Sequence, residues 1–220
     1  MQTPETTGRM GRPRTPRLSR KTIGREALAM FEQEEGLSIP RLAERLGVRQ
    51  SSFYKHVTGR NEIIELARGS LVERMLVPEL ASHDLDLLIR QIFDSLRTAY
   101  SLAPALLPLL LTQPVSHPAA LALYDKFAEA FSRAGVPDHL LIPTLETLDS
   151  AAIGASLDAI TMESAWNIPE ADRTDFPYLT TAQRAVATHQ TDRFAFLADV
   201  IAAGLRTAIG SGTALPGGAP

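Results

Sequence analysis

No cysteine occurs in the 220 residues. A disulfide scaffold, thiolate-held zinc, iron–sulfur clusters, a thiol nucleophile and thiol redox sensing are therefore excluded. The lack fits a reducing cytoplasm, the expected location. Aromatic residues are scarce at 6%, with a single Trp. Long apolar runs are missing too. The longest, Leu102 to Leu111, contains Pro104 and Pro108 and is too short to span a bilayer. The first twenty residues are polar and basic, so no secretory signal is read there and no membrane is expected as a partner. The chain has no G-x-S-x-G, H-E-x-x-H, Walker lysine loop or G-x-G-x-x-G. His56, His83, His117, His139 and His189 are scattered, with no metal-like pair. No metal, no cofactor and no enzymatic activity are expected.

What is present is unevenly distributed. The formal net charge is −3, but residues 1–74 hold 14 Lys/Arg against 9 Asp/Glu, and residues 75–220 hold 8 against 16. A basic third on an acidic remainder implies two parts with different partners. A net acidic chain is thus no argument against nucleic acid.

Hydrophobic spacing is helical nearly throughout, and no alternating strand pattern appears, so the class is all-α. Residues 1–18 mix Pro, Gly and Arg without periodicity and read as a flexible basic arm. A first helix starts after Ser19 and stops at Gly36. A second runs from Ile39 to Leu46, with Ser38 as its cap, and a short third covers Gln50 to His56. Further helices are expected at 61–80, from Asp84 to Tyr100, at 117–134, 138–164, 179–189 and 191–209, with a proline-broken stretch at 103–112. Residues 210–220 read as a disordered tail. The domains that follow are 19–65, a three-helix helix-turn-helix DNA-binding domain, and 66–209, a larger helical ligand-binding and dimerisation domain.

The strongest signal lies between Ile39 and Val57. A helix-turn-helix needs a small residue where its helices touch, a turn residue tolerating positive φ, and apolar residues that set the crossing angle. Ala43 is the first and Gly47 the second. Leu42, Leu46, Val48 and Phe53 are the third, which makes Phe53 packing and not contact. The second helix then exposes Arg49, Gln50, Ser51, Ser52, Lys55 and His56, with Tyr54 beside them. These are donors and acceptors suited to base edges and phosphates.

The stretch IPRLAERLGVRQSSFYKHVTGRNEIIELA resembles the amino-terminal domain of the TetR family of bacterial transcriptional repressors, over about residues 19–75. FPYLTTAQRAV followed by DRFAFLADVIAAGLRTAI is similar, more weakly, to the end of tetracycline-repressor-type ligand domains. The resemblance implies that Gln50, Ser51 and Ser52 meet base edges in the major groove. Tyr54 and His56 hold phosphates, and Lys55 reaches either. Arg60 stands where the family has a phosphate-contacting Lys, Ser38 where it has a capping Thr or Ser, and Arg41 reaches a base or a phosphate. Pro40 departs from the pattern and removes an amide that could have bound phosphate. In the arm, Met10-Gly11-Arg12-Pro13-Arg14 resembles minor-groove hooks. Arg12 and Arg14 either enter a narrow A·T groove or attract phosphate non-specifically.

The family also implies a homodimer whose four-helix interface uses the long helix and the last one. Small residues including Ala151 and Ala155, and the near-heptad stripe Phe194, Leu197, Ala198, Ile201 and Leu205, agree with that, although a buried helix in a monomer core has the same pattern. A ligand cavity is implied, with Phe93, Tyr100, Leu106, Leu110, Tyr124, Phe127 and Trp166 as lining candidates and Gln113, His117 and Asp149 as polar anchors. Such a cavity suits a mostly apolar small molecule with a few polar groups. The expected function is a ligand-responsive regulator, a repressor that binds palindromic double-stranded operator DNA as a dimer and is released when a small molecule shifts the helix that starts near residue 61. A TetR-like activator, or a helical enzyme without a recognisable motif, are the alternatives.

Overall fold

The computed structural model describes residues 18–33, 35–161, 167–189 and 192–211, and among these no strand occurs. Ser19 begins the first helix. Its hydroxyl accepts from the Thr22 amide at 3.2 Å and Thr22 Oγ1 accepts from the Ser19 amide at 2.9 Å, a reciprocal cap that satisfies two orphan donors. Helix α1 spans Arg20–Glu32 and buries Ile23, Ala27, Leu28, Met30 and Phe31. Helix α2, Ile39–Arg45, ends in a Schellman closure: Val48 N donates to Ala43 O and Gly47 N to Glu44 O, with Gly47 at φ 63°. Only glycine takes that backbone without strain. Ser38 does occupy the N-cap position of α2, but its side chain makes no capping bond.

The third element, Gln50–Lys55, is a 3-10 helix and not an α-helix. It is six residues long and has two serines, weak helix formers, behind Gln50, so few i→i+4 bonds are available to it. Phe53, buried at its centre, fastens it to the core. Helix α3, Arg60–Glu73, stops well short of the expected residue 80. An irregular segment runs from Met75 to Asp84 and includes Pro78, which disfavours helix at the residue before it.

Helices α4 (Leu85–Tyr100), α5 (Leu107–Leu110), α6 (Pro118–Arg133), α7 (Asp138–Thr161), α8 (Pro177–His189) and α9 (Arg193–Ser211) complete the chain. Asp84 caps α4 by accepting from the Asp86 and Leu87 amides. Helix α4 packs on α7 and α9, and α3 packs on both α1 and α6. The expected boundary at residue 65 therefore falls inside a helix shared by both halves. Helix α9 continues two residues into the segment expected as tail. It is the one helix among the described residues long and apolar enough to cross a membrane by length and composition. Here it lies against α4, with Ala198, Ala202 and Leu205 buried and Arg206 paired to Asp86.

Glycine also decides how closely α1 meets α3. A Cβ on Gly24 would stand 2.5 Å from the Leu66 carbonyl oxygen and 2.8 Å from Ser70 Oγ. The carbonyl belongs to a helix and cannot give way. Gly24→Ala is expected to destabilise the fold by about 1–3 kcal/mol through overpacking, measured by urea unfolding.

Candidate nucleic-acid interface and interior cavity

The turn after α2 presents the residues expected to read DNA. Arg49, Gln50, Ser51, Tyr54 and Lys55 are exposed, Tyr54 at 58%, and Ser52 and His56 are half-buried. The outward side chains have no partner among the described residues, so their donors and acceptors face water. Phe53 is inside the core, as its spacing requires. Arg41 is engaged with Glu35 at 3.3 Å. Arg60 donates to the Leu37 carbonyl at 2.7 Å, which ties the start of α3 to the loop before α2. Arg12 and Arg14 lie outside the described residues.

The reading turn is anchored at its far end by residues the sequence did not single out. Arg20 donates to the His56 carbonyl and pairs with Glu62. Glu62 also accepts from the Thr58 amide at 2.5 Å and the Thr58 hydroxyl at 2.9 Å. The Thr58 amide, helped by Arg20, holds the Glu62 carboxyl below its ordinary value against the opposing effect of burial. A negative charge is thus fixed at the N-terminus of α3, where the helix dipole favours it.

The interior cavity is small. Arg68, Leu71, Val72 and Met75 of α3, Leu96, Ala99 and Tyr100 of α4, and Ala120, Leu123 and Tyr124 of α6 enclose about 10 Å³, room for about one water. Tyr100 and Tyr124 both donate to Asp149 Oδ1, Tyr124 at 2.5 Å, and their hydroxyls lie 3.3 Å apart. Burial above all pushes both phenols up from their ordinary pKa, with Tyr124 and Asp149 adding to it at Tyr100 and Asp149 at Tyr124. Three expected polar and aromatic residues thus meet at one point.

Other expected cavity residues sit elsewhere. Phe93, Leu106 and Phe127 are packed in the core, because the helices close on them too tightly to leave a wall. Leu110 is buried with them and offers its carbonyl to Arg68. Gln113 and His117 line an outer groove with Arg20, Asn61 and Glu65, on the opposite side of α3's first turns. Trp166 lies outside the described residues. The expected dimer stripe divides between buried and half-buried positions of this chain. Ala155, Ala198 and Leu205 are buried within the chain, and Ala151, Phe194, Leu197 and Ile201 pack half-buried against the same core. Phe194 is held between the Arg97 and Arg193 guanidiniums, 4.8 and 4.6 Å from its ring centre. The outward face of α9 carries Phe196 and Val200, 62% and 50% exposed, followed by Ala203 and Thr207. Spacing finds an apolar stripe but not the side from which it is covered.

No family model matches the chain. Apo ActR from Streptomyces coelicolor superposes with a TM-score of 0.74 at 21% identity, over 89% of this chain and 98% of that one. ActR in complex with actinorhodin gives 0.73 at 19% identity, over 90% and 100%. A TetR variant from Acinetobacter baumannii in complex with minocycline gives 0.67 at 20% identity, over 92% and 100%. The fold is that of the TetR regulators. Among curated proteins, the HTH-type transcriptional repressor DrrR1 of Streptomyces coeruleorubidus is 24% identical over 168 residues, which are 73% of this chain and 61% of that protein. The chain therefore spans about three fifths of that relative's length. On this TetR fold the exposed turn and the Tyr100–Tyr124–Asp149 cluster belong to opposite halves of the molecule, with α3 between them.

Glu62 has a lowered pKa in the folded chain, so its stabilising contribution is complete above the ordinary Glu value of about 4.3. The advantage of wild type over Glu62→Gln is expected to shrink as pH falls through the lowered value, read from unfolding curves across acid pH. Asp149→Leu leaves two buried phenols without their acceptor and is expected to cost about 1–3 kcal/mol, by the same measurement.

Proposed function

We propose that this chain is a ligand-responsive transcriptional repressor that binds a palindromic operator as a homodimer and is released by a small molecule. The carrying observation is the set Gln50, Ser51, Tyr54 and Lys55, exposed together on a turn whose own core residue, Phe53, is buried. Polar side chains of this kind, held on a rigid support and left without internal partners, suit base edges and phosphates. DrrR1, a relative by sequence, is a repressor by name. The structures of ActR in complex with actinorhodin and of TetR in complex with minocycline support a small-molecule effector on the same fold.

Gln50, Ser51 and Ser52 read bases in this proposal, Tyr54 and His56 bind phosphate, and Lys55 reaches either. Arg49 and Arg41 add positive charge beside them. Arg60 acts first as a brace on Leu37, with guanidinium donors left for a phosphate. The effector is a mostly apolar molecule whose polar groups meet Tyr100, Tyr124 and Asp149. Because the cavity holds only about one water when closed, binding requires the surrounding helices to open, and the effector's leverage on DNA is bounded by its differential affinity for the two forms. The second copy covers the outward face of α9, with Ser150 and Gly154 of α7, small and exposed, letting helices approach. Two-fold symmetry then sets two reading turns on two half-sites. Such a regulator works in the cytoplasm.

Selection of duplexes from a random pool, followed by gel-shift titration, tests this reading. Lys55→Ala is expected to weaken binding to all sequences and reduce the salt slope by about 1. Gln50→Ala is expected to cost about 1–3 kcal/mol and relax preference at one base pair. Unchanged affinity in both variants overturns the site assignment. In sedimentation, Phe196→Glu combined with Val200→Glu is expected to convert dimer to monomer and weaken operator binding with it.

A further inference from the structure

Helix α3 carries a buried charge pair that neither base reading nor apolar packing uses. Glu65 and Arg68 are 8% and 4% exposed and meet at 2.7 Å. The second oxygen of Glu65 accepts from the Ser116 amide at 2.9 Å, the Ser116 hydroxyl at 3.0 Å and the His117 amide at 3.0 Å. Arg68 Nη2 donates to the Leu110 and Gln113 carbonyls, each at 3.3 Å. Two side chains one turn apart on α3 thus grip both ends of the segment from residue 110 to 117. The imidazole of His117 lies so close over Gly69 that any Cβ there would overlap it. On its other side Arg68 is part of the cavity wall, beside Tyr100 and Tyr124.

Buried ion pairs are poor devices for stability, since desolvation offsets most of their attraction, and their better-attested use is to fix a register or a switch. The burial of Glu65 works against its charge, but the Ser116 amide and Arg68 outweigh that, and the carboxyl stays below its ordinary pKa. Glu65 therefore carries its charge at neutral pH, and both side chains are bound on both sides.

We propose that Glu65 and Arg68 are the positioning residues that couple the cavity to the DNA-reading turn, by holding α3 in its DNA-competent place against residues 110–117 while the cavity is closed. This rests on the repressor reading above. Opening the cavity moves its wall, which includes Arg68, and the guanidinium cannot move without releasing the Leu110 and Gln113 carbonyls. Coupling is reciprocal, so DNA that selects one position of α3 must strengthen the same bonds from the other side.

Hydrogen exchange of the full chain, alone and bound to a duplex that the wild type selects from a random pool, tests this without an effector. Protection of the Ser116 and His117 amides is expected to rise roughly fivefold or more on DNA binding, although neither residue belongs to the reading turn. The double variant Glu65→Gln with Arg68→Met removes both charges, leaves no orphan ion, and is expected to bind the duplex without that rise. Arg68→Lys, which keeps the charge but loses the fork, is expected to show a reduced rise and carries the comparison if the double variant does not fold. Arg206→Met, which breaks an ion pair between α9 and α4, is expected to keep the full rise. DNA binding with no rise in the wild type, or an undiminished rise in the Glu65 and Arg68 variants, overturns the inference and leaves the repressor reading standing. A chain that selects no duplex overturns both.

Discussion

Glu65 and Arg68 face each other inside α3 with almost no water to replace either partner, and their remaining bonds all go to residues 110–117. Separating α3 from that segment would strip hydrogen-bonded partners from two buried ions at once, which is far costlier than parting apolar surfaces of similar size. The consequence is geometric. Every residue of α3 from Ile63 to Leu71 is buried, so the helix has no solvated face over that span and belongs to neither half alone. It is in contact with α1 on one side and α6 on the other. A displacement in the larger half reaches the smaller one through it, beside the direct contact of α1 with residues 104–106.

The smaller half is built to receive such a displacement as a rigid unit. Gly24 lets α1 lie directly on the α3 backbone, Arg60 braces the loop before α2, and Arg20 with Glu62 ties down the carbonyl end of the reading turn. Exposed ion pairs of this kind contribute little stability singly. The value of the Arg20–Glu62 pair here is orientation, because it holds Arg20 on the His56 carbonyl at the end of a 3-10 helix too short to hold its own shape. Gln50, Ser51, Tyr54 and Lys55 are then left unengaged on a support that does not yield.

The larger half shows the opposite balance. Its cavity is nearly filled, with two phenols and one carboxylate satisfying each other at its edge. A satisfied polar cluster in an apolar interior specifies one closed arrangement. Helix α9 illustrates a second division of labour. One face locks to α4 through small residues and paired charges, and the other leaves Phe196 and Val200 in water.

The helix-turn-helix was legible in the sequence because its requirements are local: Gly47 at a left-handed turn, Ala43 at a contact, and Phe53 flanked by polar residues. The all-α class and most helix starts were legible for the same reason, since Ser19 and Asp84 act on amides within a few residues. What the spacing left open depended on distance. Glu65, Arg68 and Gly69 interrupt the apolar run of Ile63, Ile64, Leu66 and Ala67, and it is the arrival of residues 110–117 that covers them. Likewise the stripe on α9 is apolar in either case, and only its docking on α4 decides that Ala198 and Leu205 point inward. The 3.6-residue period states which side chains share a face. It does not state what covers that face, and a buried carboxylate and guanidinium become a joint only when the chain brings them partners from some fifty residues away.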